Sequence, residues 1–219
     1  MPTIPNAMQS LNAAVLSDTL DSLALMQQAM KPFMRPLDDT LQLIGRARTG
    51  VYMPVYAAPA KGENPYEVEI ALVDDLAPGD VVVLACDGPT ERIAPWGELL
   101  STAAQVRGAT GALMDGCTRD IKAIRAMSFP VFHGGIAPLD SKGRGRVMAL
   151  DVPVRCAGVK VAPGDLVFGD ADGVVVIPRA VEEKVLTLAF DKITGEKRTL
   201  DDLRAGEKLG DVFAKYGIL

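Results

Sequence analysis

Between Pro95 and Gly108 the apolar residues Leu99, Leu100, Ala103, Ala104 and Val106 recur at helical spacing, which predicts a helix starting near Gly97. The run Gly111-Ala112-Leu113-Met114 that follows is short and wholly apolar, as a buried strand is, and Asp115-Gly116 reads as a turn at its carboxyl end. Arg119 and Asp120 then stand side by side at the start of a second helix, from about Ile121 to Met127. Upstream, Ala13 to Met30 has a helical pattern with an interruption around Ser17-Asp18, and Pro32 and Pro36 stop it. Leu41 to Val51 alternates as a strand does, with Gly45 and Gly50 admitting bends or close packing. Glu67 to Leu76 reads as a short amphipathic helix. Pro-Gly-Asp followed by an apolar triplet occurs twice, at Pro78 to Val83 and at Pro163 to Phe168, each time a turn feeding a buried strand, although the echo is too short to be an internal repeat. After Pro178 the chain is helical from about Arg179, with Val181, Val185, Leu188, Ala189 and Ile193 along one stripe and Gly195 weakening it.

Composition bounds this picture. A chain of 219 residues, 48% hydrophobic and 23% charged, can bury a full core as one domain, here residues 1–219 with a C-terminal helical extension from about 179. The net charge of −5 argues against nucleic acid as a partner. Cys86, Cys117 and Cys156 lie far apart with no CxxC spacing and read as reduced, buried thiols rather than a disulfide framework or a zinc site. No segment approaches 18 uninterrupted apolar residues, and the N-terminus lacks the basic start and apolar core of a signal peptide. The expectation is a soluble, cytoplasmic protein with no membrane partner.

Candidate chemistry gathers in the middle third. The first N–H groups of a helix have no partner within it, so the segment from Gly97 through Leu99 and Leu100 offers a cradle for a small anion such as a carboxylate. A guanidinium beside a carboxylate, Arg119 beside Asp120, can hold an anionic substrate and a divalent metal together. The plain alternative is that these two charges neutralise one another while Glu98 serves as a helix-start acid. Asp140 to Arg146 reads either as a mobile cationic loop that folds over the far carboxylates of a di- or triacid, or as a solvated surface loop. His133 is either a base or a hydrogen-bonded strand-end residue, and Cys117 either lines the site or simply packs.

An ordered set of motifs spans nearly half the chain: Pro78-Gly79-Asp80-Val81-Val82-Val83, Trp96-Gly97-Glu98-Leu99-Leu100-Ser101-Thr102-Ala103, Gly116 with Arg119-Asp120, Phe129-Pro130-Val131-Phe132, Val152-Pro153-Val154, Pro163-Gly164-Asp165 and Asp170-Ala171-Asp172-Gly173-Val174. With these the sequence resembles the RraA-like family, which includes the 4-hydroxy-4-methyl-2-oxoglutarate / 4-carboxy-4-hydroxy-2-oxoadipate aldolases. The resemblance implies an α/β fold of the swivelling β/β/α type, a sandwich of mixed sheets with flanking helices, assembled as a homotrimer or homohexamer with the site at a subunit interface. It further implies a metal-dependent retro-aldol cleavage that releases pyruvate from a 2-oxo acid substrate, with Asp120 binding Mg²⁺ or Mn²⁺ and Arg119 stabilising the pyruvate enolate. The N–H groups of Leu99 and Leu100 would hold the substrate carboxylate, Gly97 would let it approach, and Glu98 would orient a water on the metal. Some members carry Asp where Glu98 stands, a departure in side-chain length that bears on the exact substrate.

Glu196 matches a carboxylate that the aldolases insert from a neighbouring subunit, while on the residues alone it is a solvent-facing glutamate of a terminal helix. Oxaloacetate decarboxylation passes through the same enolate and is chemically adjacent. The alternative class is a non-catalytic regulator similar to the ribonuclease E inhibitors, which lack the acid after the Arg. A methyltransferase label sometimes attached to the family finds no glycine-rich cofactor fingerprint here. No Lys lies between Lys61 and Lys122, so the motif cluster holds none for a Schiff-base aldolase.

Overall fold

The computed structural model describes residues 6–218. A 3-10 turn, Asn6–Ser10, leads into α1, Ala13–Ser22. Asn12 caps α1 by accepting the Val15 N–H at 2.8 Å. The helix passes through Ser17-Asp18 without the expected interruption and stops well short of Met30. Leu16 and Leu20 are fully buried on one face, and exposed Asp18 pairs with Lys192, so tertiary packing overrides the weak local pattern. Ala24 then takes a left-handed conformation that ends the run.

The next elements are β1 (Arg35–Pro36), β2 (Leu43–Pro54), α2 (Glu67–Asp74), β3 (Asp80–Ala85), α3 (Glu98–Val106), β4 (Gly111–Thr118), α4 (Ile121–Ala126) and β5 (Val131–Ile136). They are followed by β6 (Gly145–Leu150), the hairpin β7 (Val154–Cys156) and β8 (Val159–Val161), then β9 (Leu166–Asp170), β10 (Gly173–Ile177), α5 (Glu182–Arg204) and α6 (Leu209–Tyr216). The large sheet runs β1-β5-β4-β3-β2-β9-β10, with β6 also paired to β2. Strands β2 to β5 are parallel, whereas β9, β10, β6 and β1 join antiparallel, so the sheet is mixed, as expected. Its ends approach one another, since Arg35 reaches the carbonyl of Asp172 at 2.9 Å and the Met30 N–H reaches Val174 O at 2.8 Å. The sheet is therefore nearly closed.

Strand β3 shows why the parallel part forms. Every residue is buried: Val82 and Leu84 join the core beneath α2, α3 and α4, while Val81 and Val83 join the core inside the curled sheet. A third core holds α1 and α5 against β9 and β10. The two Pro-Gly-Asp turns are built alike. Gly79 and Gly164 have φ of +90° and +84°, and Asp80 and Asp165 each accept the N–H three residues back at 2.8 Å.

Asp115-Gly116 departs from the expected turn and lies inside β4. The Asp115 side chain accepts the Cys86 N–H at 2.6 Å and the Ala157 N–H at 3.0 Å, which satisfies a buried polar group from two distant segments and lets the strand continue to Thr118. Gly195, expected to weaken the terminal helix, lies inside α5, which runs on to Arg204. A Cβ there would stand 2.6 Å from Ile218 Cδ1, so the glycine admits the chain beyond α6 against α5.

Candidate active site

The site lies at the carboxyl ends of β3 and β4, the usual ligand position in parallel α/β sheets. Trp96 is buried and donates its indole N–H to Ser101 Oγ at 2.8 Å, which fixes the first turn of α3. The Trp96 carbonyl accepts both the Arg119 N–H at 3.0 Å and Thr118 Oγ1 at 3.2 Å, tying that turn to the end of β4. Asp120 stands at the start of α4 in a left-handed conformation, φ 59°, a geometry that Asp tolerates; its carboxylate makes no capping bond to α4 and instead reaches the start of α3.

Asp120 Oδ2 accepts the Glu98 N–H at 3.1 Å, and the Ser101 N–H goes to Gly97 O at 3.0 Å. The N–H groups of Leu99 and Leu100 have no acceptor among the described residues. A Cβ on Gly97 would lie 2.4 Å from Asp120 Oδ2 and 3.2 Å from Arg119 Cγ, so any side chain there would push the Asp120 carboxylate from its place. Arg119 donates to Leu139 O at 3.0 Å, with Asp120 Oδ2 3.6 Å from its Nε and Asp140 Oδ1 3.8 Å from Nη1. Together they line a cavity of about 600 Å³, closed on other sides by Tyr66, Glu69 and Ile70 of the α2 segment and by Asp140 and Ser141.

The structure thus brings Gly97, Glu98, Leu99, Leu100, Arg119 and Asp120 to one cavity. Glu196 is not among the residues that line it. It sits on α5, 3.9 Å from Lys192. His133 is buried in β5 away from the cavity wall, and its Nδ1 has no partner, contrary to the hydrogen-bonded reading. Burial and, secondarily, Arg125 hold the imidazole below its ordinary pKa. Cys117 packs with its thiol against Thr90 O at 3.3 Å. The basic loop gives its acid to the cavity and keeps its cations elsewhere: Arg144 binds Asp140 O and Arg146 pairs with Glu63.

Sequence reasoning missed Glu69 and Tyr66. Burial pushes Asp140 upward, but the Tyr66 hydroxyl at 2.8 Å, the Lys142 N–H and Arg119 outweigh it and hold that carboxyl below the usual range. Tyr66 is raised to about 12, chiefly by burial and then by its bond to Asp140. Glu69 is pushed up to about 8 by burial and then by the Asp140 charge, against the opposing pull of Arg119. The available signal was its place in the buried stripe Glu69, Leu72, Val73, where an apolar residue belongs.

A hard divalent cation fits the donors. Asp120 offers carboxylate oxygen, Glu98 lines the same cavity, and neither His nor Cys lines it. Among the described residues no group of three or more His, Cys, Asp or Glu side chains converges. Among those residues, too, no helix is long and apolar enough to cross a membrane.

The RraA-like family model, described as Aldolase/RraA, matches residues 13–176. A relative from Halalkalibacterium halodurans named "Putative 4-hydroxy-4-methyl-2-oxoglutarate aldolase" is 36% identical over 184 residues, covering 84% of this chain and 80% of that protein. A solved structure of an uncharacterized protein from Pseudomonas syringae pv. tomato superposes with a TM-score of 0.82 at 26% identity, covering 97% of this chain and 99% of the other. Streptomyces coelicolor RraAS2, titled an unusual member of the RNase ES inhibitor RraA protein family, gives 0.77 at 27% identity over 91% and 98%. The motif set, the mixed sheet and the family match agree, and the chain belongs to the RraA-like family.

Proposed function

We propose that this protein is a divalent-metal-dependent oxo-acid aldolase, a carbon–carbon lyase that cleaves 4-hydroxy-4-methyl-2-oxoglutarate or 4-carboxy-4-hydroxy-2-oxoadipate to pyruvate and a second oxo acid. The observation that carries the reading is the meeting, across Gly97, of Arg119 and Asp120 with the unengaged N–H groups of Leu99 and Leu100. Relatives named as aldolases support it.

In this reading Asp120 holds Mg²⁺ or Mn²⁺, which when bound supplies Lewis-acid polarisation of the 2-oxo acid. The N–H groups of Leu99 and Leu100 hold the substrate carboxylate at the positive end of α3. Arg119, pinned by Leu139 O, presents its guanidinium to the oxygen at C2, where negative charge develops as the C3–C4 bond breaks. Glu98 accepts the proton of the 4-hydroxyl, directly or through water. The cation Arg119 already faces Asp120 and Asp140, so a di- or triacid substrate needs the added positive charge of the metal. Oxaloacetate decarboxylation is a companion activity through the same enolate.

The proposed assembly is a trimer or hexamer in which Glu196 of a neighbouring subunit completes the site. A regulatory role is the second reading, favoured by the likeness to RraAS2. Lactate-dehydrogenase-coupled pyruvate release from both hydroxy-oxo acids and from oxaloacetate, using chelator-treated protein with and without Mg²⁺, separates the two: an aldolase releases pyruvate only with metal, and a regulator releases none.

A further inference from the structure

Four acids among the described residues are buried: Asp80, Asp115, Asp165 and Glu69. Each of the three aspartates accepts backbone N–H groups: Asp80 that of Ala77, Asp115 those of Cys86 and Ala157, and Asp165 those of Ala162 and Arg179. Glu69, only 5% exposed, has no hydrogen bond on either oxygen, and its Oε1 is wholly hidden from solvent. A buried carboxyl with no partner is expensive in a structure that satisfies its other buried acids, and such an exception calls for an explanation, a catalytic role among them. Glu69 lines the same cavity as Leu99, Leu100, Arg119 and Asp120, but from a different element, α2.

We propose that Glu69 is the catalytic acid that delivers the proton to C3 of the pyruvate enolate, a role that rests on the aldolase reading above. A 2-oxo acid whose carboxylate is held by the α3 N–H groups and whose C2 oxygen faces the Arg119 guanidinium has C3 left for the remaining wall. Tyr66 and Glu69 are the protic groups that α2 brings there. The Tyr66 hydroxyl is already donated to Asp140, and Asp140, with Arg119 and backbone N–H groups facing it, is held as the anion. Glu98 is outside the buried wall and carries the 4-hydroxyl proton. Facing Glu69 are the charges of Asp140 and Arg119, with Tyr52 and Cys86, both buried, and Tyr66 nearby. Burial and Asp140 keep the Glu69 carboxyl neutral at pH 7, so it holds a proton to give.

The step balances. The enolate pair at C3 forms a new C–H bond as the Glu69 O–H bond breaks, C2=O re-forms, and Glu69 is left as carboxylate. Solvent then reprotonates it, having received the proton that Glu98 took from the 4-hydroxyl.

The test is exchange of the pyruvate methyl protons in D₂O with Mg²⁺, followed by proton NMR, beside calorimetric binding of oxalate, an enolate mimic with no carbon-bound proton. Wild-type protein should exchange the methyl group. Glu69→Gln should lose exchange by about 100-fold, the usual size of a general acid–base contribution, while oxalate affinity changes by less than about threefold. Glu69→Asp, which retains the acid, should recover part of the exchange and guards against a variant that merely fails to fold. Equal exchange by wild type and Glu69→Gln overturns the proposal and leaves the aldolase reading standing, whereas no exchange by wild type overturns that reading itself. Loss of oxalate binding together with exchange makes Glu69 a structural residue and also overturns the proposal.

Discussion

Glu69→Gln should stabilise the protein, and more so as pH rises. The carboxyl moves from an ordinary 4.5 to about 8 on folding, because burial and then the Asp140 charge oppose ionisation more than Arg119 favours it. Below about pH 4.5 both states are protonated and the shift has no effect. Between 4.5 and 8 the unfolded chain has released the proton while the folded one retains it, so unfolding is favoured by about 1.4 kcal/mol per pH unit. The folded state thus loses about 3 kcal/mol by pH 7, and about 5 kcal/mol once pH passes 8. Gln is nearly isosteric, leaves the same unpartnered polar end and does not titrate, so it lacks that loss. Urea unfolding at one protein concentration, from pH 4.5 to 8.5, gives stability for both chains. Groups common to both, such as Asp140 and Asp202, cancel in the difference. That difference should climb steadily in favour of the variant; one that stays flat across the range refutes the buried, unpartnered carboxyl.

Other substitutions probe the remaining walls. Arg119→Lys should reduce kcat by about 100-fold in steady-state assays, because a point charge cannot both donate to Leu139 O and present a planar fork to the enolate; an effect confined to KM would make Arg119 a ground-state binding residue. Gly97→Ala should keep its circular dichroism spectrum, since an extended backbone suits any residue, yet lose most activity as the new methyl displaces the Asp120 carboxylate 2.4 Å away. Glu196→Ala and Asp120→Ala, each nearly inactive alone, should regain activity when co-assembled, given that outer-shell carboxylates contribute about 10- to 100-fold. Mixed oligomers verified by mass spectrometry that stay inactive would remove Glu196 from the site.

What is legible in the sequence is what local chemistry decides. The start of α3 shows at Gly97 because proline and glycine end one pattern and helical periodicity begins another, and β3 shows because four apolar residues follow a Pro-Gly-Asp turn. The convergence of Arg119-Asp120 with Leu99 and Leu100 is less local and entered through the likeness of ordered motifs. Asp115 misleads because Asp-Gly is turn chemistry wherever no distant donor is at hand, and here Cys86 and Ala157 supply two. The extra length assigned to the first helix fails for a related reason: Leu23 to Met30 is apolar enough for a helix, yet Met30 is drawn to the edge of β10 by a backbone bond to Val174. Glu69 escapes notice because a glutamate is an ordinary helix residue, and only the burial of Leu72 and Val73 beside it shows that it faces inward.

Whether Asp120 holds the metal on which pyruvate release depends is decided by assaying chelator-treated wild type and Asp120→Asn side by side with 4-hydroxy-4-methyl-2-oxoglutarate over a Mg²⁺ titration. Asn keeps an oxygen that can accept the Glu98 N–H but removes the charge, so the fold should persist. The expected result is saturable, Mg²⁺-dependent pyruvate release by wild type and loss of about 100-fold or more in the variant at every Mg²⁺ concentration. Equal, metal-independent release by both proteins would mean that Asp120 holds no metal needed for the reaction.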